Sequence, residues 1–179
     1  METFVISDTH WGHANSLTFK KSDGSPLRDF SCVEEMDEHM VEQWNSVVRP
    51  CDKVVHLGDV VINKKFLPIL HRLNGKKKLV AGNHDIFPAT TFLEYFYDVK
   101  AYRVFDQHIF SHVPVHPSSI GRFKANIHGH LHSNQVMLGD AIDPHFLCVC
   151  VEQEHINYTP IPWYRCKEIL EKRGIYHAV

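Results

Sequence analysis

Three absences narrow the kinds of protein that this sequence can encode. No apolar run approaches the ~20 residues that a membrane-spanning helix needs. None of the 5 cysteines forms a C-x-x-C pair, the usual spacing of thiolate metal sites and redox motifs. The formal net charge is −2, so no general excess of positive charge indicates a nucleic-acid-binding surface. We therefore expect no membrane partner and no broad basic surface.

The cysteines and the first residues favour a reducing compartment. The number of cysteines is odd, and Met1-Glu2-Thr3 leads directly into a predicted strand, so we expect neither a disulfide framework nor a signal peptide. Both expectations indicate a cytoplasmic protein. Cys148 and Cys150 alternate along a predicted strand and should point to one face. We interpret them as buried free thiols in preference to a further metal site.

The length and composition fit a single domain over residues 1–179. With 44% hydrophobic and 22% charged residues, the chain can bury a sizeable core. The one strong basic run, Lys76-Lys77-Lys78, precedes a predicted buried strand. This run is either the solvated entry to that strand or a phosphate clamp, and we favour the solvated entry.

Five short polar motifs each follow an apolar run of the kind that forms a buried strand. They are Asp8-Thr9-His10, Gly58-Asp59, Gly82-Asn83-His84-Asp85, Ser111-His112 and Gly129-His130-Leu131-His132. Ligands at the ends of several strands converge on one edge of a sheet, where open α/β folds place their sites. Oxygen and imidazole donors without thiolates suit two hard-to-borderline cations such as Mn²⁺, Fe²⁺ or Zn²⁺. The motifs therefore predict a metal site as well as a fold class.

The order of predicted elements indicates an α/β fold. An early β-α-β-α-β order predicts a parallel half sheet, and a later run of strands predicts a second, mixed sheet. Together they predict an αββα sandwich, with two mixed β-sheets flanked by helices. The elements expected include a helix opened by a capping box over 31–34, a helix over 66–73, and strands over 135–138 and 146–152.

The five motifs, in this order, resemble those of the calcineurin-like metallophosphoesterase superfamily. The family pattern is D-x-H, G-D, G-N-H-D/E, a lone His and G-H-x-H. The resemblance implies the αββα fold and two divalent ions, with Mn²⁺ expected and Fe²⁺, Zn²⁺ or Ni²⁺ as alternatives. It implies that Asp8, His10, Asp59 and His132 hold the first ion, and that Asp59, Asn83, His112 and His130 hold the second. Asp59 would then bridge the two ions.

The same resemblance implies a catalytic role for the residue that follows the ligand Asn83. His84 would lie near the leaving-group oxygen, where it would stabilise charge or donate a proton. Asp85 would accept a hydrogen bond from the other ring nitrogen of His84 and fix the tautomer. An N-cap for the next short helix is a structural alternative for Asp85, and both roles are compatible.

The first loop resembles that of a small bacterial and phage group of uncharacterised phosphoesterases. Their pattern D-T-H-x-G-H-x-N corresponds here to residues 8–15, followed by an Arg before a helix. His13, Asn15 and Arg28 would then line a substrate pocket, with Arg28 on a phosphate oxygen. Alternatively, His13 and Asn15 bond the loop backbone and Arg28 is a surface side chain.

These observations predict a dinuclear metal-dependent phosphoesterase that hydrolyses a phosphodiester or nucleotide by attack of a metal-activated hydroxide. The segment 58–63 lacks the Arg of the G-D-x-x-D-R-G pattern, which argues against a Ser/Thr protein phosphatase. A phosphodiesterase is favoured over a phosphomonoesterase. A nuclease acting on DNA or RNA is one alternative, and a non-catalytic interaction protein on the same fold is another.

Overall fold

A computed structural model describes residues 1–176, and residues 177–179 of the predicted single domain lie outside the described part. The strands, in chain order, are β1 (Thr3–Ile6), β2 (Lys53–His56), β3 (Lys76–Val80), β4 (Asp98–Lys100), β5 (Tyr102–Phe105), β6 (His108–Ser111), β7 (Asn126–His128), β8 (Met137–Leu138), β9 (Ala141–Ile142), β10 (Phe146–Cys148) and β11 (Ile161–Pro162). The α-helices are α1 (Val33–Val47), α2 (Ala89–Phe92) and α3 (Trp163–Lys172), and 3-10 helices span Ala14–Thr18, Lys64–Arg72 and Pro117–Ser119.

The first sheet brings three of the motifs to one edge. Its strand order is β11-β1-β2-β3-β4, and every pairing except that of β11 with β1 is parallel. Parallel strands end at the same edge of a sheet. The loops that leave β1, β2 and β3 therefore lie side by side, and they carry Asp8, Asp59 and Asn83.

The second sheet supplies the remaining motifs. Its order is β10-β7-β6-β5, in which β6, β7 and β10 are parallel and β5 is antiparallel to β6. The neighbouring strands β6 and β7 end just before His112 and His130. A parallel bridge between Ser7 and Cys150 connects the two sheets next to the motif that follows β1.

The hydrophobic core joins both sheets to the helices. One cluster of buried residues includes Val5 of β1, Ile127 of β7, Met40 of α1 and Leu170 of α3, each no more than 1% exposed. The described chain is thus α/β, with two mixed sheets flanked by helices, and this part of the expected fold is confirmed. No helix among residues 1–176 is long and apolar enough to cross a membrane.

Several predicted elements differ from those observed. The capping box is wrong, because α1 begins after Cys32 and the Ser31 amide donates instead to Glu35 at 2.9 Å. The segment 64–72 is a 3-10 helix with Pro68 inside it, and a proline has no N–H to donate to a regular helix. The strand over 135–138 is reduced to β8, which pairs with β9 in a hairpin outside both sheets.

Candidate metal centre

The first group of candidate ligands comprises Asp8, His10 and His132, whose ligand atoms lie within 4.8 Å of one another. Asp8 is fully buried, and its Oδ2 accepts hydrogen bonds from the Ser7 hydroxyl and from the His130 amide at 2.9 Å. Its Oδ1 is buried and has no hydrogen-bond partner among the described residues. An unpaired buried carboxylate oxygen is costly, so a cation bound here would remove a large desolvation penalty.

The two histidines of this group present ring nitrogens to that unpaired oxygen. Nε2 of His10 and Nε2 of His132 each lie 3.9 Å from Asp8 Oδ1. The other ring nitrogen of His132, Nδ1, donates to Glu152 Oε1 at 2.9 Å. This carboxylate fixes the tautomer and leaves Nε2 with a free lone pair, as in many histidine metal ligands. The donor set and its orientation therefore fit a divalent metal.

The second group comprises Asp59, His112 and His130. His112 Nδ1 donates to the Leu57 carbonyl at 2.7 Å, which turns its Nε2 towards Asp59 Oδ2 at 3.4 Å. Asn83 Oδ1 lies 2.8 Å from His112 Nε2 and 2.9 Å from His130 Nδ1. The Asn83 amide oxygen is thus a fourth candidate donor, as the sequence motif predicts.

Asp59 connects the two groups. Its Oδ2 lies 3.6 Å from His10 Nε2 in the first group and 3.4 Å from His112 Nε2 in the second. Its Oδ1 accepts a hydrogen bond from the His84 amide at 2.9 Å. One carboxylate oxygen therefore faces ligands of both groups, which is the geometry expected of a bridging carboxylate.

The backbone is strained at most of the candidate ligands. Five of them have left-handed φ angles between 48° and 69°: Asp8, His10, Asp59, His130 and His132. Non-glycine residues adopt this region seldom, and each instance costs of order 1 kcal/mol or more. Such strain concentrates at functional sites, where surrounding structure holds it in place. Here it turns the side chains at the sheet edge towards a common point.

Two glycines of the motifs allow the loops to approach closely. A Cβ atom on Gly82 would lie 2.2 Å from Asp59 Oδ1 and 2.5 Å from the Asp59 amide nitrogen. A Cβ atom on Gly129 would lie 2.4 Å from Asp8 Oδ2. All three distances are far below van der Waals contact, so any larger residue would displace a candidate ligand.

Asp85 does not contact the His84 ring, so the predicted tautomer-fixing role is wrong. Its Oδ2 accepts hydrogen bonds from the amides of Asp59 and Gly82, both at 2.8 Å, and its Oδ1 accepts from Val60 at 2.9 Å. Burial raises the Asp85 pKa, and these backbone hydrogen bonds oppose that shift. The N-cap alternative is also wrong, because α2 begins after Pro88. Asp85 instead ties the loop after β2 to the loop after β3.

The His84 side chain lies on the open side of the centre. It is 51% exposed, and its Nε2 is 4.0 Å from Asp59 Oδ2. Its ring is 5.5 Å from the His10 ring, and it belongs to neither ligand group. The His84 ring is therefore free to meet a bound molecule, while its catalytic role stays a prediction.

The three predicted substrate contacts have different environments. The His13 ring centroid is 5.9 Å from that of His10, at the rim of the centre, and burial lowers the His13 pKa. Asn15 is exposed on the first 3-10 helix, and its side chain makes no hydrogen bond within residues 1–176. Arg28 is only 1% exposed, so the prediction that it contacts a substrate phosphate is wrong, and so is the surface alternative.

Arg28 is a structural residue behind the centre. Its guanidinium donates to the carbonyls of Asp8 at 2.6 Å and Thr9 at 2.9 Å, and to Glu152 Oε1 at 2.8 Å. The Glu152 side chain is fully buried and also accepts from His132. Glu152 was not predicted as a site residue from the sequence, although it follows the apolar run 146–151 in the same way as the five motifs follow theirs.

Burial and neighbouring charges shift the pKa values of the ionisable groups at the centre. Burial lowers the His10 pKa to about 2, which keeps its ring neutral and able to bind a metal. Burial raises the pKa of Glu152, but the Arg28 charge and the His132 hydrogen bond outweigh it and lower that pKa to about 2. For His112, burial is outweighed by Asp59 and Asp8, which raise its pKa to about 9.

The fold and the site define an α/β protein with two adjoining groups of residues that could hold metal ions. No family model matches the chain. It is 31% identical to the uncharacterized protein MJ1445 of Methanocaldococcus jannaschii over an alignment of 184 positions. The alignment covers 98% of this chain and 95% of that protein. The chain therefore belongs to the same family as that archaeal protein.

Two solved structures are similar to this one. A protein of unknown function from Aquifex aeolicus, AQ665, aligns with a TM-score of 0.72 and 24% identity over 94% of this chain and 98% of that one. The two proteins share a fold. A Vps29 mutant from Entamoeba histolytica aligns with a TM-score of 0.41 and 16% identity, over 83% of this chain and 73% of that one. That level of similarity supports no further conclusion.

We predict that Gly82→Ala abolishes high-affinity binding of divalent metal at the second group and weakens it at the first, because Asp59 faces both groups. The new methyl group would overlap the Asp59 carboxylate, whereas the Gly82 backbone itself is not left-handed. Calorimetric titration with Mn²⁺ measures the loss. Gly121→Ala is the matched control, because it places an alanine at a φ of +48° with no atom within 4 Å. An unchanged isotherm for Gly82→Ala would contradict the proposed close approach.

We also predict that Glu152→Gln destabilises the fold and weakens binding at the first group. Removing one charge of a buried pair typically costs about 3–5 kcal/mol, because the other charge stays buried without its partner. Loss of a carboxylate behind a histidine ligand typically lowers metal affinity about 10- to 100-fold. Urea unfolding of metal-free protein and Mn²⁺ titration measure the two effects. Glu168→Gln, in an exposed pair with Arg165, should change neither.

Proposed function

We propose that the protein is a dinuclear metal-dependent phosphodiesterase of the calcineurin-like metallophosphoesterase type, with the αββα arrangement of that superfamily. The observation that carries the proposal is the position of Asp59 Oδ2 between two groups of ligands. The unpaired buried Oδ1 of Asp8 beside two histidines supports it. The order of the five motifs along the chain supports the same family.

In this proposal Asp8, His10 and His132 would hold one ion, Asn83, His112 and His130 would hold the other, and Asp59 would contribute to both. Two divalent ions in these positions would supply Lewis acidity towards a phosphoryl oxygen and an activated water as nucleophile. Asn83 contributes a neutral oxygen, which leaves more of the positive charge available to the substrate. Carboxylate, amide and imidazole donors together suit Mn²⁺, with Fe²⁺, Zn²⁺ or Ni²⁺ as alternatives.

His84 is assigned to the leaving group. Its ring is half exposed at the edge of the centre and makes no hydrogen bond to another residue in the described chain. A histidine with this freedom can stabilise charge on the departing oxygen or donate a proton to it. The complete ligand set and the free His84 ring favour an enzyme over a non-catalytic interaction protein.

We predict that the protein hydrolyses bis(4-nitrophenyl) phosphate when Mn²⁺ is supplied and loses this activity with a chelator. The physical reason is that Asp8 and Asp59 are buried with oxygens directed at neighbouring imidazoles, so that a divalent ion would find carboxylate and imidazole donors together. Metal analysis should give two ions per chain at saturation. Phosphomonoesters, cyclic nucleotides, single-stranded DNA and RNA belong in the same panel, since cleavage of the nucleic acids would favour a nuclease. Absence of hydrolysis with each of the four ions would favour the non-catalytic alternative.

We predict that His84→Ala lowers kcat by about 10²–10⁴-fold for an ester with a poor leaving group, such as a phenyl ester. Both ions should remain bound, because His84 belongs to neither ligand group. The loss should be smaller for the nitrophenyl ester, which needs less protonation. His116→Ala is the control, since the exposed His116 side chain bonds to Ser118 and to no other residue within 1–176. Loss of one ion in His84→Ala would make His84 a ligand instead.

A further inference from the structure

A cavity of about 810 Å³ opens beside the second ligand group. Asn83 and His112 belong both to its wall and to the candidate metal centre. The remaining wall comes from the loop after β3, from Ala101 and the β5–β6 hairpin that follows it, and from the loop after β6. A molecule whose phosphorus lies at the centre would therefore extend one of its substituents into this cavity.

The wall of the cavity is mainly apolar, although much of it faces solvent. Tyr102 is 63% exposed, Val104 is 51% exposed and Val113 is 49% exposed. Single exposed apolar side chains are common, but several on one concave surface next to a polar centre indicate a ligand site. The volume lies within the range of about 300–1,000 Å³ that is usual for small-molecule sites, and it exceeds what a phosphate group alone requires.

Arg122 is the one Lys, Arg, Asp or Glu side chain among the described residues of the wall. Its guanidinium lies 5.4 Å from the centroid of the Phe123 ring, in a cation–π arrangement. The Ser111 hydroxyl in the same wall is already used, since it donates to the Val113 carbonyl at 2.7 Å. The wall thus offers aromatic surface and the donors of one guanidinium, but few hydrogen-bond partners for the many hydroxyls of a sugar.

We propose that the cavity binds a planar aromatic ring on the group that stays attached to the phosphorus, of the kind that a nucleobase provides. The ring packs against Tyr102 and Phe123, and Arg122 donates hydrogen bonds to an acceptor on its rim. The location of this site rests on the proposed function, because the scissile phosphorus must lie at the metal centre. The inference names a nucleotide ester, rather than a sugar phosphate or an alkyl phosphate, as the substrate class.

Two esters with the same leaving group test this assignment. In thymidine 5′-(4-nitrophenyl) phosphate the retained group carries a base, and in methyl 4-nitrophenyl phosphate it does not. We expect Tyr102→Ala to lower kcat/KM about tenfold for the thymidine ester, mainly through KM, because stacking of a base on one aromatic side chain typically has this effect. We expect a loss of similar size for Arg122→Ala, because the base then loses a hydrogen bond from a charged donor. Neither variant should change kcat/KM for the methyl ester. Both side chains are exposed, so their truncation should leave the fold intact.

Tyr164→Ala and Arg165→Ala are matched controls outside the cavity. Tyr164 is 49% exposed, and Arg165 lies 5.8 Å from its ring centroid, which reproduces the Arg122–Phe123 arrangement on α3. These control variants should leave kcat/KM unchanged for both esters. An equal loss for both esters in Tyr102→Ala, or no loss for either, would overturn the assignment while leaving the proposed hydrolysis intact.

A binding measurement separates failure of the cavity from failure of the enzyme. Thymidine monophosphate and methyl phosphate are titrated calorimetrically into the Mn²⁺-loaded protein, without turnover. Tighter binding of thymidine monophosphate that Tyr102→Ala removes would support the cavity, even if neither nitrophenyl ester were hydrolysed. Equal affinities for the two phosphates would refute it. A dimer that Tyr102→Ala dissociates in sedimentation would likewise refute it, since a second copy would then cover this surface.

Discussion

The buried ion pair between Arg28 and Glu152 holds the first ligand group in shape. Arg28 fixes the carbonyls of Asp8 and Thr9, and Glu152 fixes the ring of His132. Both charges are out of water, where an unpaired charge would be very costly. The pair is therefore formed as a unit, and it connects the first loop to a residue 124 positions later. The orientation of both Asp8 and His132 depends on that connection.

The strained backbone at the candidate ligands needs contacts of this kind to hold it in place. Five left-handed residues and an unpaired buried carboxylate oxygen all reduce the stability of the metal-free chain. They persist because Arg28, Asp85 and the motif glycines leave the loops few other arrangements. A ligand that binds the folded state alone would stabilise it by mass action. Bound cations would thus return part of the free energy that the geometry of the site costs.

The sequence predicts the position of the site better than the role of each residue. Convergence of the motifs followed from one general property, that neighbouring parallel strands end at the same edge, and the ligand groups contain the residues expected. The predicted contacts of Asp85 and Arg28 were wrong because their actual partners, the backbone of other loops and the distant Glu152, are set by the tertiary structure, which motif spacing does not reveal. The strands β4 and β11 were not predicted, because they are 3 and 2 residues long and too short to show any periodicity.

The two ligand groups differ in their surroundings, so the centre has a buried side and an open side. Asp8 is 0% exposed and His10 is 4% exposed, with the Arg28–Glu152 pair behind them. The second group lies against the open cavity through Asn83 and His112, and His84 is exposed on the same loop as Asn83. In the proposed enzyme, a substrate would approach from the second group and meet His84 at the rim. The buried group would then serve as the rigid part of the centre, and differences in specificity would arise in the residues around the cavity.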